Sequence, residues 1–158
     1  MESSNLIKPL RGRSFEDFEV GQVMLCHGMT VTEESIIAFA RQWDPQPFHI
    51  NSDAARDSIF GKLVASGLHT MLLSYWLYFD SGVVKGTAIA GLGIEDLKFL
   101  GPLVPGDTIS IRIRVMDKQA SSRPGCGKVK LKIETFNQSD EMIFQMTIHA
   151  LVAANGDA

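Results

Sequence analysis

The chain has few of the features that identify exported, membrane-spanning or metal-binding proteins. Its two cysteines, Cys26 and Cys126, have neither CxxC nor metal-ligand spacing, so they predict neither a disulfide framework nor a metal site. The first residues form no apolar signal segment. The longest apolar run, residues 68–79, is shorter than the roughly 20 residues that a membrane helix needs. We therefore expect a protein of the reducing cytoplasm, away from the membrane.

Positive charge is also scarce. Lys and Arg number 15 against 18 Asp and Glu, without a basic run, which argues against a nucleic-acid partner. A length of 158 residues with 45% hydrophobic content is typical of one globular domain with a real core. We expect an N-terminal arm at residues 1–14, the domain at 15–154 and a tail at 155–158.

The first half of the chain predicts one strand followed by helices. Residues 23–31 are rich in β-formers, and Thr32 is placed to cap a helix that begins with two glutamates. This helix must end before Pro45, because a residue preceding proline is driven out of the α region. Residues 45–47 should then be extended and stiff. A second, short helix is expected between about residues 52 and 61.

A third helix, at about residues 66–79, is apolar nearly all round, which predicts a helix that is buried. After Gly82 the pattern changes to strands, of which the first, residues 87–100, is interrupted by glycines. Three further strands alternate apolar and polar residues, as half-buried strands do. These lie near residues 109–116, 128–134 and 142–150. An antiparallel sheet around one buried helix is an α+β architecture.

The most informative motif is Asp44-Pro45-Gln46-Pro47-Phe48-His49, which places a carboxylate and an imidazole five residues apart. About twenty residues later, Ala65-Ser66-Gly67-Leu68-His69 opens the apolar helix with small residues. Such a helix start offers free backbone N–H groups. An acid/base pair beside these donors suits proton transfer next to a carbonyl group. The two motifs together predict an enzyme.

The run from Phe39 to His49 resembles the Asp-x-Asn-Pro-x-His signature of the MaoC-like, R-specific enoyl-CoA hydratases. Phe60-Gly61 with Ala65-Ser66-Gly67 looks like the stretch that leads into the central helix of that family. Residues 99–108 are similar to its Pro-Val-x-Pro-Gly-Asp turn. The resemblance extends from about residue 16 to residue 153. It implies a single hot-dog domain, in which an antiparallel sheet wraps a long buried central helix.

The resemblance also implies a function. It implies reversible addition of water to trans-2-enoyl thioesters, with Asp44 and His49 as the catalytic dyad. The backbone N–H of Gly67 would form the oxyanion hole, and neither a metal nor an organic cofactor would be needed, because coenzyme A is part of the substrate. The expected partners are an acyl-CoA thioester, with acyl carrier protein as an alternative carrier, and further copies of the chain in a homodimer or higher homo-oligomer.

Two positions depart from the family pattern. Gln46 replaces the usual Asn, and Trp43 stands where Gly commonly precedes the Asp. Glutamine keeps the amide but adds a methylene, so we expect the substrate to differ more than the reaction.

Several residues allow a structural interpretation beside a functional one. Five of them are candidates for substrate binding: Gln46, Phe48, Ser66, Leu68 and His69. Gln46 could contact the dyad or only fill the turn, and Ser66 is most simply a helix N-cap. Gly67 could be a close-packing glycine. His69 could line the acyl pocket, although a hydrogen-bonded structural histidine is the simpler interpretation.

Two other functions remain open on the same fold. A thioesterase would use a carboxylate and an activated water to attack the carbonyl carbon instead. A protein that only binds acyl thioesters would keep the fold without turnover. Acyl length and branching are not fixed by the sequence.

Overall fold

The computed structural model describes residues 12–155. A one-turn 3-10 helix precedes five strands and four helices. In chain order these are Phe15–Asp17, β1 (Val23–Thr30), α1 (Glu33–Trp43), α2 (Pro47–Ile50), α3 (Ser52–Arg56), α4 (Gly67–Asp80), β2 (Ala88–Phe99), β3 (Thr108–Ala120), β4 (Cys126–Phe136) and β5 (Met142–Ala153). Most of the expected N-terminal arm, residues 1–11, and the last three residues of the expected tail lie outside the described part.

The five strands form one antiparallel sheet in the order β1-β3-β4-β5-β2. The alternation predicted for β3 and β4 is present, because every second side chain is buried from Ile109 to Val115 in β3 and from Val129 to Thr135 in β4. Helix α4 packs against β1, β3, β4 and β5. The α+β prediction, with the sheet folded around one central helix, is confirmed.

The predicted start and end of α1 are confirmed. The Thr32 side chain accepts a hydrogen bond from the Ser35 N–H at 3.2 Å, and the helix ends at Trp43, before Pro45. The segment 45–47 is extended only as far as Gln46, because Pro47 is the first residue of α2. Proline is well suited to a first helical position, where its fixed φ is helical and no N–H is required.

The second short helix is shorter than the sequence predicts. Asn51 begins it by accepting hydrogen bonds from the N–H groups of Asp53 and Ala54, but it ends at Arg56. Ile59 lies beyond it, 96% exposed, and Gly61 turns the chain with a φ of +64°. The apolar spacing of residues 54–59 therefore did not correspond to one continuous helix.

Helix α4 is buried on one face only, which corrects the expectation of a helix buried all round. Its buried residues include Thr70 and Ser74, whereas four large apolar residues are about half exposed. These four, the outer face of α4, are Leu68, Leu72, Trp76 and Phe79. The sequence has apolar residues on both faces of α4, so its pattern did not show which face the sheet covers and which face stays exposed.

Strand β2 forms one edge of the sheet, and every residue in it is exposed. The expected interruption is present as three shifts in its register against β5. None of the helices in residues 12–155 combines the length and the apolar character needed to cross a membrane.

Candidate active site

The segment between α1 and α2 brings the carboxylate of Asp44 to the imidazole of His49. Asp44 closes α1, and its N–H donates to the Ala40 carbonyl at 2.9 Å. The next turn is fixed by two more backbone hydrogen bonds, from Gln46 N–H to the Asp44 carbonyl and from His49 N–H to the Gln46 carbonyl. As a result, Nε2 of His49 lies 3.5 Å from Oδ2 of Asp44.

The hydrogen-bonding of His49 fixes which ring nitrogen carries a proton. Its Nδ1 lies 2.7 Å from the carbonyl oxygen of Val64. A carbonyl oxygen only accepts, so Nδ1 must be the donor, and in the neutral ring Nε2 then carries the lone pair. The residue is 7% exposed, so little freedom remains for the ring to turn. His49 therefore presents a base on the side of Asp44.

Ser66 connects Asp44 to the start of α4. Its hydroxyl donates to Oδ2 of Asp44 at 2.7 Å and accepts from the Leu68 N–H at 3.2 Å. The predicted N-cap is thus confirmed, and the same oxygen also orients the carboxylate. Because Ser66 is fully buried, this arrangement is shielded from competing water.

Gly67 follows as the first residue of α4. Among the hydrogen bonds of residues 12–155, none uses the Gly67 N–H. An N–H at the start of a helix is unpaired within the helix and lies at the positive end of its dipole. A Cβ added at Gly67 would lie 2.7 to 3.0 Å from ring atoms of Phe99. A larger residue at this position would therefore have to displace the Phe99 ring, and the Gly67 N–H remains available to a ligand.

These groups face a cavity of about 540 Å³. It is lined by Asp44, Phe48, His49, Phe60, Val64, Ala65, Ser66, Gly67, Leu68, Thr70, Phe99, Leu100, Gly101, Pro102, Leu103 and Ile143. The volume is in the range of small-molecule sites, which combine mostly apolar walls with a few polar groups. Six of the eight site residues predicted from the sequence thus meet in one place.

Gln46 and His69 do not line this cavity. The Gln46 side chain is exposed, and the residue contributes through its backbone to the turn between α1 and α2. His69 is 6% exposed and stacks on Phe39 with ring centroids 4.5 Å apart. Burial lowers the pKa of His69. Its Nδ1 has no hydrogen-bond partner among the described residues, so the expected hydrogen-bonded structural histidine is not seen at that atom.

Sequence reasoning missed two contributors. Val64 acts through its backbone carbonyl, so its side chain carries no signal of that role. Phe99 lines the cavity and begins the 99–108 motif, so its position could have been noticed. In the described part of the chain, no three His, Cys, Asp or Glu side chains are grouped closely enough to hold a metal ion.

Comparisons with known proteins agree with this geometry. Residues 17–136 match the model of the MaoC like domain. The chain is 32% identical over 106 residues to the (R)-specific enoyl-CoA hydratase of Rhodospirillum rubrum, covering 64% of this chain and 68% of that protein. The crystal structure of a MaoC-like dehydratase from the same organism superposes with a TM-score of 0.85 at 34% identity, covering 92% of this chain and all of that one.

A more distant structure supports the fold alone. A Mycobacterium tuberculosis protein with a double hot-dog fold superposes with a TM-score of 0.74 at 22% identity, covering 93% of this chain and 46% of that one. The family match covers most of the chain and includes both Asp44 and His49. The chain therefore belongs to the MaoC-like dehydratase domain family and has its hot-dog fold.

Proposed function

We propose that this protein is an (R)-specific enoyl-CoA hydratase, which adds water reversibly to a trans-2-enoyl thioester. The observation that carries the proposal is the pair formed by Asp44 Oδ2 and His49 Nε2, 3.5 Å apart and facing the cavity beside the Gly67 N–H. At this separation, one water oxygen can lie within hydrogen-bond distance of both atoms. The likeness to an (R)-specific hydratase supports the stereochemical part of the proposal.

The residues divide the reaction between them. Asp44, held by Ser66, orients the water, and Nε2 of His49 takes one of its protons as the oxygen bonds to C3 of the substrate. The electrons of the C2–C3 double bond then shift to form an enolate on the thioester oxygen. His49 returns the proton to C2, which completes the 3-hydroxyacyl product. The nearby Asp44 carboxylate stabilises the imidazolium that forms in between.

The Gly67 N–H stabilises the enolate. It lies at the positive end of α4 and is placed to donate to the thioester oxygen as negative charge develops there. Losing a donor of this kind costs about 3 kcal/mol of transition-state stabilisation in other enzymes. The proposed reaction needs only the Asp44, Ser66 and His49 side chains, the Gly67 N–H and the thioester substrate. Acyl carrier protein is an alternative to coenzyme A as the carrier of the acyl group.

The proposal is tested by replacing Asp44 with Asn. This change keeps the size of the side chain but removes its charge, so hydration of crotonyl-CoA should fall by at least about 100-fold, as expected for a group that takes part in acid–base catalysis. Loss of the enoyl-thioester absorbance measures the rate. Asp53→Asn is the matched control, because Asp53 lies on α3 with its side chain 83% exposed and should leave the rate unchanged.

Three results would contradict the proposal. The first is hydration by Asp44→Asn at the wild-type rate. The second is release of free coenzyme A thiol without hydration, detected with a thiol reagent, which would indicate a thioesterase. The third is binding without either reaction, which would indicate an acyl-thioester-binding protein.

We also propose that the protein works as a homodimer. The outer face of α4 and the exposed edge strand β2 together leave a large apolar surface uncovered, which includes Trp76 and Ile94, each about half exposed. Exposed apolar patches and unpaired strand edges are both typical of surfaces that bind another protein chain. A second copy would cover both features at once.

A further inference from the structure

Phe99 occupies an unusual position beside the proposed oxyanion donor. Three atoms of its ring lie 2.7 to 3.0 Å from the point where a Cβ on Gly67 would stand. Since a Cβ lies about 2.5 Å from the nitrogen of its own residue, the ring edge is within about 5 Å of the Gly67 nitrogen. The three heavy atoms nearest to that point all belong to the Phe99 ring.

The backbone that carries Phe99 is held in place, whereas its ring is partly free. Phe99 pairs with Phe144 at the end of β2, and the next two residues, Leu100 and Gly101, both donate to the Ile143 carbonyl at 2.8 and 3.0 Å. The ring lies 5.8 Å from the ring of Phe144, and the residue is 55% exposed. The ring therefore lines the cavity on the side of Gly67 from a backbone whose position is fixed.

The Phe99 ring is close to the first carbons of an acyl group. A thioester oxygen bound to the Gly67 N–H would lie about 3 Å from the nitrogen, which places the carbonyl carbon and C2 within about 5 Å of it. Gly67 and Phe99 line the same cavity, so C2 and the Phe99 ring would share the part of the cavity next to this N–H. A methyl branch at C2 would add volume in that part.

We propose that Phe99 is a specificity-determining residue that restricts the cavity to acyl thioesters without a branch at C2. This inference rests on the proposed function to the extent that the ligand is an acyl thioester bound at Gly67. It specifies the class of substrate as acyl thioesters whose chain is unbranched at the carbon next to the thioester carbonyl. One extra methyl group in a hydrophobic pocket changes selectivity by about 10- to 200-fold in other enzymes.

The experiment measures binding of two saturated thioesters that cannot be hydrated, butyryl-CoA and 2-methylbutyryl-CoA, by calorimetry. Wild type should prefer butyryl-CoA, and Phe99→Ala should reduce this preference about tenfold or more by opening the space beside Gly67. Phe99→Leu, which is less disruptive, should have an intermediate effect. Phe136→Ala is the matched control: it also removes a phenyl ring, but Phe136 ends β4 with the Arg112 guanidinium 4.0 Å from its ring centroid and does not line the cavity, so the preference should stay as in wild type.

A second measurement needs no ligand. Gly67→Ala places a methyl group against the Phe99 ring and should lower the unfolding temperature. Adding Phe99→Ala should recover much of that loss, because the obstructing ring is gone. Independent, additive effects of the two substitutions would contradict the packing on which the inference is built.

The outcomes separate this inference from the hydratase proposal. An unchanged preference in both Phe99 variants, or no binding of either thioester by wild type, would overturn it. A shifted preference in a protein that does not hydrate crotonyl-CoA would uphold the role of Phe99 and reject the hydratase.

Discussion

The two faces of α4 do not divide into one apolar face and one polar face. The inner face buries the small polar residues Thr70 and Ser74 together with the larger His69, Leu77 and Tyr78. The Ser74 hydroxyl lies 2.7 Å from the hydroxyl of Thr135 on β4. The outer face is large and apolar, and about half of each of its side chains is exposed. Helices of globular proteins normally bury their apolar stripe and expose the polar one.

The difference is what the proposed homodimer would explain. Thr70 and Ser74 are small, so α4 can approach the sheet closely. The Ser74 hydroxyl donates to the Thr70 carbonyl and pairs with the Thr135 hydroxyl, and the Thr70 hydroxyl donates to the Ser66 carbonyl. The outer residues have no such cover within the described chain. A second copy is the simplest source of that cover, and the following experiments test each face in turn.

The largest effect is expected from charging the outer face. With Leu72→Glu and Trp76→Glu combined, two carboxylates would have to be buried without partners in the proposed dimer interface, which is strongly unfavourable. We expect complete conversion to monomer, measured by analytical ultracentrifugation. Ile59→Glu is the control, because Ile59 is equally apolar and more exposed but lies outside α4. A wild-type monomer, or a variant that still dimerises, would show that this face is not the interface.

A smaller effect is expected on the inner face. Ser74→Ala removes the hydroxyl that pairs with Thr135 and leaves the Thr135 oxygen buried without that partner, which should cost about 1 to 2 kcal/mol of unfolding free energy. Denaturant unfolding measures the change. Thr30→Val is the matched control, since it breaks a hydroxyl pair with Thr108 that is exposed. Equal losses in the two variants would mean that burial of the Ser74 pair is unimportant.

The smallest effect concerns pH. Burial lowers the pKa of His69 below its usual value of 6.5, so the unfolded chain binds a proton more readily than the folded one. The buried His69 therefore lowers the free energy of unfolding as the pH falls below about 6.5, and it has no such effect at higher pH. In His69→Phe, which preserves stacking on Phe39, unfolding free energy should decline less between pH 7.5 and pH 5 than in wild type. His27→Gln, at an exposed position, should decline as wild type does.

An equal decline in His69→Phe and wild type would show that another group accounts for the acid sensitivity. The comparison of the two histidine variants is what makes the result specific, because both remove one imidazole from the chain.

Most elements were predictable because their signals are local. Thr32, Pro45 and the alternation along β3 and β4 each act within a few residues, so the start and end of α1 and the strands followed from the sequence. The difference in exposure between the two faces of α4 could not be predicted from the sequence. An apolar residue looks the same in a sequence whether its own sheet or another chain covers it. The early end of α3 was missed for a related reason, since Ile59 fits the helical spacing but is 96% exposed in residues 12–155.

The parts of the site formed by side chains could be predicted from the sequence, whereas the Val64 backbone carbonyl could not. The Asp44 and His49 spacing drew attention to two groups that do lie together. The Val64 carbonyl, which fixes the His49 tautomer, could be any residue. The sequence left open whether Gln46 contacts the dyad or only fills the turn. The structure shows the second, since Gln46 immediately precedes α2, its backbone bonds within the turn and its side chain is exposed.

The dual role of Ser66 has a mechanical consequence. Its hydroxyl both caps α4 and holds Asp44 Oδ2 at 2.7 Å, so an axial slide of the helix by about 1 Å would stretch this bond beyond hydrogen-bond range. Helix α4 therefore carries the proposed dimer surface along its outer face and, at its first turn, the cap that holds the carboxylate. A partner that displaced α4 along its axis would also displace the Ser66 hydroxyl from Asp44.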